Sequence, residues 1–257
     1  VEVTPRVDIV PGPAERLRLY LPSSARPGDE VALSVVAEDR WANPTIIPGS
    51  VRLSAEGPLD GLPAVAGPDR GSPGKAGAAL RIADLKTTGE GVVRISASLD
   101  RPGPGEPARY ESNPLVVDRH ASRRVAWGDM HGQSGETIGT GTADEYFRFA
   151  RDLACVDFAS HQGNDFQITR EFWSRLQGVT SAFNEDGRFV TFPGYEWSAN
   201  TALGGDHNVY FRHEGRHIRR SSHALCPDPL DAADDCNTIE DLFEALADEE
   251  CLIVPHV

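Results

Sequence analysis

In the first 120 residues the apolar side chains come in short alternating runs; beyond them they form helical stripes between strands. Leu17 to Leu21, Val31 to Glu38, Val51 to Ser54, Ala78 to Ile82, Val92 to Ser98 and Tyr110 to Val117 are β-prone segments set between Pro- and Gly-rich stretches. A period of two sends successive side chains to opposite faces of a strand, one toward a core and one toward water. Helical periodicity is absent from this stretch, so the pattern predicts an all-β antiparallel sandwich over residues 1–120.

After residue 120 the period changes. Val125-Ala126-Trp127 reads as a strand, and Thr142-Ala143-Asp144-Glu145 then has the capping-box order Thr-x-x-Glu that opens a helix. Tyr146, Phe149, Ala150 and Leu153 step by i, i+3, i+4, i+7 as its buried stripe. Val156 to Ala159 is a second strand, and a second helix from about Thr169 carries Phe172, Leu176, Val179 and Phe183. Phe189 to Phe192 and Val209 to Phe211 add strands, Asn237-Thr238 caps a last helix, and Leu252-Ile253-Val254 opens a final strand. Strands alternating with helices predict a βα-repeat domain over residues 121–257.

Composition narrows the class. The chain has 257 residues, roughly 1.7 domains at about 150 residues each, with 39% hydrophobic and 25% charged residues, a globular balance. No apolar run approaches the ~18 residues that cross a bilayer, so no membrane association is expected. The net charge of -14 opposes long-range attraction to phosphate backbones, so nucleic acid is not an expected partner. The compartment expected is the cytoplasm, with secretion or the periplasm left open. Cys226 and Cys236 bracket a loop-like stretch that a disulfide could close, and spacing alone does not establish one.

Residues with metal-ligand character follow the strands of the second half. Asp129 and His131 come after the first, His161 after the second, Glu196 after the third, His207 just before the next, and His256 after the last. In a barrel of parallel strands the loops leaving the C-terminal strand ends converge on one mouth, where residues distant in sequence can share an ion. His120, His213, His217 and His223 lie in polar, arginine-bearing segments and read as ordinary surface or core histidines.

Four segments then carry a resemblance. Gly128-Asp129-Met130-His131-Gly132-Gln133, Ser160-His161-Gln162-Gly163-Asn164-Asp165, Gly194-Tyr195-Glu196-Trp197-Ser198 and Pro255-His256-Val257 resemble the ordered motifs of the PHP superfamily, named for polymerase and histidinol phosphatase. The likeness is closest to a bacterial branch of unknown function and covers roughly residues 124 to 257. It implies a distorted (β/α)7, TIM-like barrel holding two or three divalent transition ions (Zn, Mn or Fe) that hydrolyse phosphoesters. Carried over by motif, His131, His161, Glu196, His207 and His256 are the expected metal ligands, with Glu196 bridging two ions and Glu196 and His161 expected at the chemistry. Arg219 and Arg220 are expected to neutralise the oxyanions of a small phosphorylated or anionic substrate, with Gln133 beside them. In the first half, Asp39-Arg40-Trp41-Ala42-Asn43-Pro44 resembles the turn of bacterial immunoglobulin-like modules, which implies an immunoglobulin-like sandwich.

Two departures from the pattern matter. The first motif usually reads His-x-His; here the second position is Gln133, an amide that ligates divalent metals poorly beside imidazole, with Glu136 a possible replacement. The late Asp-x-His motif of PHP barrels is missing before Val257. The resemblance therefore implies that this chain carries only the first part of the barrel, that a missing C-terminal part of the same protein is a possible partner, and that the chain alone is inactive. Two other readings stand beside the phosphoesterase: a non-catalytic binding protein with a degenerate barrel, and a metal-dependent ester or amide hydrolase.

Overall fold

Strand formation begins at Arg16–Tyr20 (β1), where Leu17 and Leu19 turn inward between solvent-facing arginines. Ser24–Ala25 (β2), Glu30–Glu38 (β3), Val51–Glu56 (β4), Leu59–Asp60 (β5), Val65–Ala66 (β6), Ala79–Thr87 (β7), Gly91–Leu99 (β8), Arg109–Glu111 (β9) and Leu115–Val117 (β10) follow. The computed structural model describes residues 9–67, 77–99, 108–226 and 229–256. It divides into two compact units, Val1–Ala126 and Trp127–Val257.

In the first unit, one sheet has the order β1-β3-β7-β5 and the other β2-β10-β8-β4-β6, with β9 also on β8. Alternation decides the core: Leu33 and Val35 of β3, Leu85 of β7, Val93 and Ile95 of β8 and Leu115 of β10 meet in one buried cluster drawn from both sheets. Tyr110 to Val117 is interrupted where Asn113 caps Leu21, its Oδ1 accepting from Leu21 N at 2.8 Å and its Nδ2 donating to Leu21 O at 2.8 Å. The Asp39–Pro44 turn is built on a buried carboxylate that accepts from the backbone N–H groups of Gly12, Trp41 and Asn43. Burial raises the Asp39 pKa, and these bonds with the Asn43 side chain outweigh it and hold it at about 2.

The second unit runs Gly128–Gly132 (β11), Ala143–Asp152 (α1), Phe158–His161 (β12), Arg170–Phe183 (α2), Val190–Phe192 (β13), Gly194–Ser198 (β14), Asp206–Phe211 (β15), Ile239–Ala245 (α3) and Cys251–His256 (β16). Thr142 and Thr238 close capping boxes with Glu145 and Asp241, and Thr169 caps α2. The buried side of α1 is Ala143, Phe147 and Ala150, whereas Phe149 is 50% exposed, so the stripe lies one residue from the expected one. Strands β11, β12 and β13 form a parallel sheet, and β14, β15 and β16 an antiparallel one.

The expected (β/α)7 barrel is therefore corrected. The described residues form four sheets and three short helices, with no closed barrel. The reason is loop length. Pro193 alone separates β13 from β14, and residues 199–205 join β14 to β15; a parallel return needs a crossover of about a dozen residues or more, so β15 comes back antiparallel. Among the described residues no helix is long and apolar enough to cross a membrane.

Candidate metal centre

Glu196 lies in the middle of β14, with its side chain on the face of the antiparallel sheet opposite the aromatic core. Antiparallel pairing places Asn208 of β15 directly across from it, and His256 of β16 across from Asp206. Glu196, Asp206, Asn208 and His256 consequently share one face. His131 comes from β11 of the other sheet and meets this face through a 2.9 Å bond between its Nδ1 and Asn208 Oδ1.

These elements bring His131, Glu196 and His256 together, with one ligand atom of each lying within 4.8 Å of the others. His131 Nε2 is 3.6 Å from Glu196 Oε2, and His256 Nε2 is 3.7 Å from Glu196 Oε1. Two donors on one tetrahedral ion, each at ~2.0–2.1 Å, stand roughly 3.3–3.4 Å apart, so small movements would close this set on a single ion. The donor chemistry fits. Asn208 Oδ1 takes the Nδ1 proton of His131 and leaves the Nε2 lone pair toward the site, the second-sphere arrangement that orients ligating imidazoles. Glu196 is buried at the floor while the two histidines are about one-third exposed, leaving an open side to solvent. Burial raises the Glu196 pKa, Asp206 adds to this, and the two imidazoles and the Asn164 amide oppose it.

The other expected residues are placed differently. His161 is buried beside the site and does not join the group. Its Nδ1 accepts from Gly163 N at 3.3 Å and its Nε2 faces Ser134 Oγ at 2.8 Å, between the edges of Tyr146 and Phe172. Burial lowers its pKa to about 4. His207 falls on the opposite face of β15, packed between Trp197 and Phe243. Arg219 pairs with Asp234 at 3.3 Å, and Arg220, 1% exposed, donates from Nε to Ile168 O at 2.9 Å. Both guanidinium groups are thus engaged by other groups of the protein. Glu136 pairs with Arg175 and lies outside the His131, Glu196 and His256 group. Cys226 and Cys236 are both free thiols.

Gln133 stands where the PHP-like motif would have a second histidine. Its Oε1 accepts from Thr137 Oγ1 at 2.7 Å, and its Nε2 donates to Asn164 Oδ1 and to Glu196 Oε2, both at 3.2 Å. Asn164 Nδ2 in turn donates to Glu196 Oε2 at 2.9 Å and Ser198 Oγ at 3.0 Å. Sequence reasoning missed Asn208, and Asn164 entered it only as a member of the Ser160–Asp165 segment. The signal for Asn208 was parity: twelve residues from Glu196 across a hairpin, one more than His207.

An uncharacterized protein of Chlamydia pneumoniae is 25% identical to the chain over 102 residues, covering 39% of this chain and 16% of that protein. The chain thus spans about a sixth of that relative's length. The family described as "Protein of unknown function (DUF3604)" matches residues 115–256, more than half of the chain, and the chain belongs to that family.

Proposed function

We propose that the unit Trp127–Val257 is a metal-dependent hydrolase, the activity its PHP-like motifs imply, with a transition ion held by His131, Glu196 and His256. The observation that carries this reading is the convergence of two rim imidazoles on one buried carboxylate within 4.8 Å, open on one side. Three protein ligands with a free position is the arrangement of catalytic rather than structural zinc sites. A bound ion supplies Lewis acidity to a substrate oxygen and lowers the pKa of water.

The chain's own residues do the rest. Asn208 fixes the His131 tautomer, and Asp206, facing the same side as His256 with which it pairs, is the nearby carboxylate available to take a proton. The substrate is a small molecule, and a phosphoester is what the motifs imply. The engagement of Arg219 by Asp234 and of Arg220 by the Ile168 carbonyl favours a second reading, an uncharged ester or amide, because the two guanidinium forks expected to meet phosphate are held by other partners.

Metal analysis tests the proposal. Protein purified without chelator is expected to carry Zn, Mn or Fe, and His131→Ala to lose most of it; metal-free wild type after incubation with these ions overturns the reading. Activated phosphoesters and carboxylic esters, assayed with added Zn or Mn on wild type and His131→Ala, separate the two bond classes.

A further inference from the structure

The two amides beside Glu196 use every hydrogen they own. Gln133 Nε2 has two, directed at Asn164 Oδ1 and Glu196 Oε2; Asn164 Nδ2 has two, directed at Glu196 Oε2 and Ser198 Oγ. Gln133 Oε1 is fixed in turn by the Thr137 hydroxyl, so the amide cannot rotate without breaking three bonds. A carboxylate oxygen offers about two lone-pair sites. Glu196 Oε2, the oxygen 3.6 Å from His131 Nε2, therefore has both occupied by N–H donors, and Oε1, 3.7 Å from His256 Nε2, is the oxygen left for a metal, toward which the His131 ring has to shift.

We infer that Gln133 and Asn164 are positioning residues that hold Glu196 as a terminal ligand through Oε1 and restrict the centre to one ion. A carboxylate bridging two ions through both of its oxygens needs each of them free, and here the second ion would have to displace two N–H donors that are themselves tied to Thr137 and Ser198. The donor inventory agrees. His161 uses both ring nitrogens, His207 faces away, and among the described residues His131, Glu196 and His256 are the one group of three such ligands close enough to share an ion, Asp206 on the same face falling outside it. This inference rests on the metal-centre reading above and specifies its nuclearity.

Cobalt(II) titration of the apo form of the full chain, followed by absorbance and by metal-to-protein ratio after gel filtration, tests it without any substrate. Wild type is expected to saturate at one ion per chain. Gln133→Met, close in size but without the amide, is expected to keep that ratio and bind cobalt about 10–100-fold more weakly, the usual cost of losing a second-sphere partner. Thermal melting in chelator confirms that both proteins are folded. Saturation at two ions overturns the inference and leaves the metal centre standing. A ratio of one with unchanged affinity in Gln133→Met overturns the positioning role. No binding by folded wild type removes the metal centre itself and the inference with it.

Discussion

His207 and Asn208 are adjacent in the chain and meet opposite fates, because side chains on a strand alternate. Pairing of Glu196 with Asn208 fixes the register of β15, sending Asn208 to the polar face and His207 to the aromatic one. A histidine has more ligand chemistry than an asparagine, so reading residue types along the sequence selects the wrong member of the pair. The consequence is measurable. Asn208→Ala should weaken transition-metal binding about 10–100-fold by freeing the His131 ring, whereas His207→Phe should leave affinity within about twofold while preserving the packing between Trp197 and Phe243. Isothermal titration with zinc on both variants decides it, and the reverse order of effects would contradict the assignment of faces. His131, Glu196 and His256 were legible in the sequence because each sits in a short motif of its own. Asn208 and Asn164 were not, since their value depends on register and on hydrogen bonds that no spacing rule reports.

At the level of elements, the local signals were legible and the way they join was not. Threonine caps at positions 142, 169 and 238 marked the helix starts because the capping oxygen and the third backbone N–H are close in sequence. The barrel failed on connections: Phe189 to Phe192 was read as a strand with Glu196 following it, yet Pro193 ends one sheet and β14, which carries Glu196, starts another. Gly194, at that junction, shows why the change of sheet is tight. A Cβ built there would lie 2.2 Å from Gln162 Nε2 and 2.4 Å from Val209 O. The second contact is backbone, so the strand itself would have to shift. Gly194→Ala should therefore destabilise the protein by about 1–3 kcal/mol, the range for overpacking, and weaken metal binding through the displaced Glu196. Urea unfolding and zinc titration measure the two effects, and a stable variant with intact affinity would show that β14 can move freely.

For the molecule as a whole, two buried groups in the second unit set opposing dependences on pH. Asp165, fully buried, accepts from Ser198 N and Ser221 N, but burial dominates and raises its pKa from 3.8 to about 7. Between those values the folded chain holds a proton that the unfolded chain has released, so this contribution to stability is lost as pH rises. His161 has the opposite sign. It stays neutral in the fold down to about 4 while an unfolded imidazole protonates near 6.5, so its contribution is lost as pH falls. The two offset one another between pH 4 and 6.5. Asp165→Asn removes one side of the balance, and its unfolding free energy from urea titration should fall on acidification from pH 6.5 to 4 more steeply than that of wild type, by an amount on the order of a few kcal/mol. Parallel curves for the two proteins would mean that Asp165 titrates normally.

The units also differ in what holds them. Among the described residues the core of Val1–Ala126 is drawn from its two sheets and the loop residues Leu21 and Ile47, with Leu33, Leu85, Ile95 and Leu115 among its fully buried members, and the core of Trp127–Val257 draws on Phe147, Phe189, Trp197 and Phe211. No residue belongs to both clusters. Domains with separate cores fold separately, and the three ligand residues all lie in the second unit. A fragment of residues 1–126 should therefore give a β-type circular dichroism spectrum without helical minima, melt cooperatively, and bind no zinc. The fragment 127–257 should bind zinc with the affinity of the full chain. A first fragment that fails to melt cooperatively would show that its two sheets need the second unit, and loss of zinc binding by the second fragment would show that the centre depends on residues before Trp127.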